Sequence, residues 1–326
     1  MTSMFVTVGN ITLDLFISGL EKVPAFGGDE FTADNLTFCD EPLTMVLGGN
    51  GAISAYVLAR LGALATPCGA IGQDQAGDIV AAWLTAAGVD MEGLRRTDEV
   101  ATATTTVITD RALNRVAFHH PGASHWYAPE ALPMRLVAQA DVLLVSSYPL
   151  LPRWRPDGFA QILRQARRTG TITALDIGPA IGQAAQLEEL RPLLPHVNYL
   201  LCNGHELAVC TGAKTLKEGV MALLEAGAQH VVVKRGAQGA VLVDRSGSHL
   251  VSPGFAVEAR FTVGAGDAFN AGLLYGVDKG WTPARALRFA NAVAALVVAG
   301  ARGALGAPSL LQVESFLARH AQGSDR

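Results

Sequence analysis

Three observations predict a doubly wound α/β fold, a mostly parallel sheet flanked by helices with a small β-rich lid. Short apolar runs alternate with longer stretches of helical periodicity along most of the 326 residues, the order expected of strands joined by crossover helices. Several runs are apolar on both faces, as strands buried in a parallel sheet must be. Two segments, about 14–47 and 98–120, break this rhythm with short alternating strands punctuated by Gly, Pro and Asp.

In chain order, FVTVGNI (5–11) is the first predicted strand, and 14–47 supplies half of the lid. AISAYVLARLG follows as a helix, with Ile53, Val57, Leu58 and Leu61 on one face and Gly62 as its stop. ATATTTVITD and NRVAFHH, split by Arg111-Ala112-Leu113, form a hairpin that completes the lid. DVLLVSS (141–147) returns to the main sheet. GFAQILRQARRTG is a helix burying Phe159, Ile162, Leu163 and Ala166 and ending at Gly170. TITALDI (171–177), YLLCN (199–203) and HVVVKR (230–235) are further buried strands. WTPARALRFANAVAALVVAG is a helix with Thr282 as N-cap and Pro283 at the first helical position. AQGSDR at the end reads as a frayed tail. With no repeat and no low-complexity linker, residues 1–326 are expected to form one domain.

Half of the residues are hydrophobic, 17% are charged, and the net charge is −4. Such a chain can bury a large core, and it gives no compositional support to binding nucleic acid or a membrane surface. Cys39, Cys68, Cys202 and Cys210 form no CxxC pair, and no signal peptide or spanning stretch is visible. These features predict reduced thiols in a cytoplasmic protein.

The most informative stretch is RFTVGAGDAF (260–269). Helical spacing resumes after Asp267, at Phe269, Ala271, Leu273 and Leu274, which places Gly264-Ala265-Gly266 at a helix N-terminus. Backbone N–H groups there lack intrahelical partners and favour an anion. An acid beside a phosphate cradle makes sense if it takes the proton of an attacking hydroxyl while the N–H groups hold the transferring phosphoryl. The plain alternative is an Asp capping a Gly-rich turn. A dinucleotide loop is disfavoured, since Phe269 stands where that motif wants a third Gly.

VGAGDAFNAGLLYG resembles the C-terminal signature of the ribokinase-like (PfkB) carbohydrate kinases, and LGGNGAISAYVLARLG (47–62) resembles their N-terminal Gly-Gly signature. GNITLD (9–14), IGQDQAGD (71–78), NGHE (203–206), VVVKRGAQGAVLV (231–243) and FANAVAALVVAGARGA (289–304) extend the match in family order. The resemblance implies a ribokinase-like fold and phosphorylation of a hydroxyl on a sugar-like acceptor, with ATP as co-substrate and Mg²⁺. It makes Asp267 the base and Gly264, Ala265 and Gly266 the anion hole. It assigns the acceptor to Asp14, Gly48, Gly49 and Asn50. Position alone favours a solvated turn acid at Asp14, and Asn50 could equally be a helix N-cap. Nucleotide contacts fall on Asn203, Lys234, Gly236, Gly239 and Asn291, and Mg²⁺ on Glu206, through water. Asn203 and Glu206 also have capping-box spacing, and Lys234 could be a surface charge. His119-His120, Trp126-Tyr127 and Trp154 read as lid or packing residues rather than ligands.

Two positions depart from the family. Ile53 stands where relatives have an Asn that contacts a sugar hydroxyl, so carrying over ribose or fructose specificity is unsafe. Phe261 stands where relatives have an Asp that helps to hold K⁺, and weak or absent K⁺ dependence is expected. A nucleoside kinase of the same fold, and a catalytically weak sugar-binding or regulatory protein, stay open as alternatives. Exposed lid edges motivate a homodimer through the lid.

Overall fold

A computed structural model of the chain describes residues 2–23, 36–112 and 114–321. The central part of the first lid segment, Leu113 of the hairpin turn and the tail residues 322–326 lie outside the described residues.

β1 (Met4–Val8) opens the main sheet, and β2 (Thr12–Leu20) and β3 (Thr44–Gly48) belong to the lid. Next come α1 (Asn50–Arg60), β4 (Leu64–Gly72), α2 (Gln75–Ala86) and β5 (Leu94–Thr97). The lid resumes with β6 (Ala103–Asp110) and β7 (Arg115–His120). α3 (Gly122–Trp126), α4 (Met134–Gln139), β8 (Val142–Val145), α5 (Asp157–Arg168) and β9 (Ile172–Asp176) follow. Then come α6 (Leu187–Leu190), β10 (Tyr199–Asn203), α7 (Gly204–Thr211), α8 (Leu216–Glu225) and β11 (His230–Lys234). β12 (Ala240–Asp244), β13 (His249–Ser252), α9 (Ala265–Asp278), α10 (Pro283–Ala299) and α11 (Leu310–Ala321) complete the chain.

The main sheet runs in the order β13-β12-β11-β10-β9-β8-β1-β4-β5. It is parallel except for the antiparallel pairs β11·β12 and β12·β13 at one edge. Both faces are covered. Successive residues of a strand point to opposite sides, so Phe5 and Leu144 join one core with α1, α9 and α10, while Val6 and Leu143 join a second with α4 and α5. The predicted apolar face of α5 is buried as expected, and Trp154, fully buried against Tyr127 and Phe159, is a packing residue. Thr282 caps α10 through the Arg285 N–H, with Pro283 at the first turn.

The lid is a four-stranded sheet in the order β3-β2-β6-β7, antiparallel except for the parallel pair β2·β6. β2 and β3 reach slightly past the first predicted segment, to Thr12 and Gly48, while β6 and β7 lie within the second.

Two sequence expectations change. The run 5–11 is not one strand: the chain leaves the main sheet after Val8, and β2 starts the lid at Thr12. The strand predicted over 171–177 is one residue shorter at each end, β9 stopping at Asp176. β4 escaped the sequence reading because LATPCGAIG is rich in Ala, Gly and Pro, residues with weak strand preference. It forms because pairing with β1 and β5 buries it on both sides.

Candidate active site

In the main sheet β1 has β8 on one side and β4 on the other, so the crossovers diverge there. Open α/β sheets bind ligands in the crevice beyond the C-terminal strand ends at such a switch point. The segments leaving β1, β8, β9, β10 and β11 bring Asn10, Ser147, Asp176, Asn203 and Lys234 to this end of the sheet. A cleft of about 830 Å³ opens here, lined by Asn50, Asp176, Glu206, Lys234 and Asp267 among others.

α9 begins at Gly264, whose φ of 82° is left-handed and whose position has no side-chain cap. The cap reading of Asp267 is thereby corrected: Asp267 lies inside the first turn and faces the cleft. Its Oδ1 accepts a 2.8 Å hydrogen bond from Asn50 Nδ2. Burial, and next the nearby Asp176 charge, raise its pKa from 3.8 to about 6.

Asn50 is likewise not the cap of α1. Gly49 is, and the Asn10 side chain serves that helix start, its Oδ1 accepting from the Asn50 backbone N–H at 3.0 Å. The Asn50 side chain is thus free to bridge Asp267 and Ser147. Asp14 is not a solvated turn acid. It lies within β2, 8% exposed, and its Oδ1 accepts from Thr12 Oγ1 at 2.9 Å. Burial raises its pKa, with Thr105 and Thr12 hydrogen bonds opposing. Gly48 packs flat on this pair. A Cβ there would lie 2.3 Å from Asp14 Oδ2, so only glycine allows the approach.

Lys234 is not a surface charge either. Its Nζ donates to Asp176 Oδ2 at 2.6 Å and to Asn270 Oδ1 at 3.3 Å. Burial opposes its charge, but Asp176 and Glu206 outweigh this and hold its pKa above the ordinary value. Asn203 and Glu206 form a reciprocal capping box at the start of α7, and both also line the cleft, so the two readings coexist. Burial, then Asp176, raise the Glu206 pKa from 4.5 to about 7. Gly236 and Gly239 line the cleft in the β11–β12 turn. Beyond them the wall becomes apolar, with Phe255, Val257, Ala295 and Val298. Asn291 lies at this end, its Nδ2 holding the Ser252 and Pro253 carbonyls.

Sequence reasoning gave no role to Asn10, Ser147 or Asn270. Ser147 carries one available signal, a left-handed φ of 61° without being glycine, but that is visible only in three dimensions. Asn270 is fully buried, three residues after Asp267, and donates to Asp176 Oδ2 at 2.6 Å. Ile53 is not a cleft residue: it is 2% exposed and packs beneath Gly264. Phe261 packs edge-on against Phe16 of the lid, with ring centroids 4.6 Å apart, and lies over Gly303.

These features describe a phosphotransferase cleft, and comparison with known proteins agrees. Residues 29–309 match the family described as pfkB family carbohydrate kinase. The chain belongs to this family, whose enzymes transfer a phosphoryl group to an alcohol. It is 33% identical over 279 residues to the ATP-dependent ribose-1-phosphate kinase of Halopiger xanaduensis, covering 83% of this chain and 86% of that one. It is 29% identical over 286 residues to the aminoimidazole riboside kinase of Salmonella typhimurium, covering 84% and 88%. The structure of Arabidopsis thaliana ribokinase complexed with ribose and ATP superposes with a TM-score of 0.83 over 97% of this chain and 99% of that one, at 23% identity.

Proposed function

We propose that this protein phosphorylates a hydroxyl of a sugar or sugar-derived molecule with ATP, Asp267 acting as general base. The observation that carries this reading is the meeting of Asp267, Asn50 and the uncapped start of α9 in one cleft. Asn50 orients the carboxylate. With a pKa of about 6, Asp267 is mostly ionised at neutral pH yet basic enough to accept a proton as the hydroxyl oxygen attacks. The N–H groups of Ala265 and Gly266 point where charge collects on the transferring phosphoryl. Lys234, Asn203, Gly236 and Gly239 border the path of the phosphates. The apolar wall near Asn291 suits a purine ring. Asp14, Gly48 and Gly49 face the acceptor.

Among the described residues no cluster of three metal-ligating side chains exists. Glu206, a hard carboxylate on the cleft wall, fits Mg²⁺ held through water, because that ion keeps most of its hydration shell. When bound, Mg²⁺ would neutralise phosphate charge. The Phe261 side chain offers a cation no oxygen, and its ring covers Gly303, so the residues do not fit a K⁺ site of the kind the family resemblance implies. Replacing Na⁺ by K⁺ at constant ionic strength should change kcat by less than ~2-fold, and strong K⁺ activation would refute this point.

The test is ADP release from Mg-ATP with a panel of sugars, nucleosides and their phosphates. Turnover lowered ~10²–10⁴-fold in Asp267→Asn, with ATP-analogue binding retained, supports the assignment. Near-wild-type activity of that variant overturns it.

A further inference from the structure

Among the described residues, Ser147 is the one non-glycine with a left-handed backbone, at φ 61° and ψ 32°. An L side chain costs free energy there, and such strain persists only where the surroundings fix it. Ser147 is fully buried, and what fixes it is a set of hydrogen bonds. Its Oγ accepts from the Asn10 backbone N–H at 3.1 Å. Its hydroxyl is directed at Asn10 Oδ1, 2.5 Å away, and at Asn50 Oδ1, 2.9 Å away.

These bonds join three elements. Asn10 follows β1, and Ser147 follows β8, which pairs with β1 in parallel. The Ser146 N–H donates to the Val8 carbonyl at 2.8 Å and holds the two strand ends together. Asn10 then receives the first N–H groups of α1, that of Asn50 on its Oδ1 at 3.0 Å and that of Gly51 on its carbonyl at 3.2 Å. Gly9 permits the approach, since a Cβ there would lie 2.5 Å from Ser146 Oγ and 2.7 Å from the Gly51 nitrogen.

The chain of contacts ends on Asp267. The Asn50 side chain has one donor end and one acceptor end, and an ionised Asp267 only accepts. Nδ2 must face the carboxylate, as it does at 2.8 Å. Oδ1 then turns to the other side, where Ser147 presents its hydroxyl. The reversed amide would set Oδ1 against the carboxylate, oxygen against oxygen. The Ser147 hydroxyl thus matches the one orientation of Asn50 that serves Asp267.

We infer that Ser147 is a positioning residue for the phosphoryl transfer: anchored to Asn10, it holds the Asn50 amide and, through it, the Asp267 carboxylate that takes the proton of the attacking hydroxyl. This inference rests on the kinase reading above. Asn10 and Ser147 are both buried and neither lines the cleft, so each acts through Asn50 rather than by touching substrate.

Ser147→Gly removes the hydroxyl and relaxes the backbone, so its effect does not come from added strain. Ser147→Ala, which keeps a side chain, is the second variant, and thermal melting of each reports folding. The Asn50 hydrogen bond favours the ionised carboxylate, and loosening it raises the Asp267 pKa. The other charges around Asp267 are held elsewhere: Asp176 and Lys234 by each other and by Asn270, and Glu206 by the Asn203 N–H. Carboxyl-carbon NMR, with the Asp267 signal assigned by its loss in Asp267→Asn, should show a titration midpoint ~0.5–1 pH unit higher in Ser147→Gly than in the wild type. ADP release from Mg-ATP with the best acceptor of the panel above should show the acid limb of kcat/KM moving by the same amount. At pH 7.5 kcat should fall roughly tenfold, with KM for ATP within ~2-fold of the wild type. In an Asn50→Ala background, Ser147→Gly should change neither the midpoint nor kcat. A folded Ser147→Gly or Ser147→Ala variant with midpoint and kcat unmoved overturns the inference and leaves the kinase reading standing, and so do effects that add in full to those of Asn50→Ala. No turnover by the wild-type protein with any acceptor overturns the kinase reading, and the inference with it.

Discussion

Asp267, the proposed base, is a buried carboxylate held at a cost to stability. Its pKa in the fold is about 6 against an ordinary 3.8, so the native state binds this proton more tightly than the unfolded chain does. The associated stability is fully present below the ordinary value and is lost as pH rises through about 6. At neutral pH the ionised carboxylate is thus a destabilising element that the rest of the core offsets. Asp267→Asn should raise stability at pH 7.5 by on the order of 1–3 kcal/mol, and the gain should fade by pH 4. Thermal melts of both proteins at the two pH values would check this. The same ionisation should appear in the wild-type enzyme as an acid limb in kcat/KM with a midpoint near 6. A flat profile between pH 5 and 7 would contradict it. Asp267 was legible in the sequence because its chemistry is local, an acid one residue after a Gly-Ala-Gly turn. Lys234 was legible only as a candidate. Its partner Asp176 is 58 residues away, and no spacing rule joins the ends of two different strands.

The start of α9 separates two roles that glycine plays in one motif. Gly264 has a left-handed φ of 82°, and a Cβ there would sit 3.2 Å from Ile53 Cδ1. Gly266 has no such strain, and a Cβ there would come within 4 Å of only Lys234 Nζ, at 3.5 Å. Gly264→Ala should therefore lose both activity and about 1–2 kcal/mol of stability. Gly266→Ala should keep its stability to within ~1 kcal/mol, since Ala favours a helix, while its methyl group in the phosphoryl site lowers kcat. Chemical denaturation with parallel assays distinguishes them, and equal stability losses would refute the division. The contact also explains Ile53. The resemblance set it where relatives use an amide, but here it is a packing residue supporting the turn. Helical periodicity had placed Ile53 on the buried face of α1, and that reading was the better guide.

At the scale of the molecule, the lid has two unlike faces. One carries Asp14, Thr105 and His119 together with Phe16, which meets Phe261 ahead of α9. The opposite one carries Leu15, Ile17, Met45, Ile108 and Val116, with Met45 51% and Val116 36% exposed. An apolar sheet face beside strand edges is a surface that association buries. The protein is expected to sediment as a homodimer through the lid, and Met45→Lys combined with Val116→Lys to sediment as a monomer. A monomeric wild-type protein at micromolar concentration would refute the lid interface.

The sequence by itself determined the α/β alternation, the helix faces, the Thr282 and Asn203 caps and the glycine-rich turn before Asp267, because each rests on neighbours within one or two turns of chain. Tertiary structure alone decided where β1 ends and the lid begins, that β4 is a strand, and that Asn10 serves the start of α1 in place of Asn50. Those outcomes depend on pairings such as Asn50 with Asp267, 217 residues apart. They come from packing strand ends around one crevice, which periodicity along a single chain does not encode.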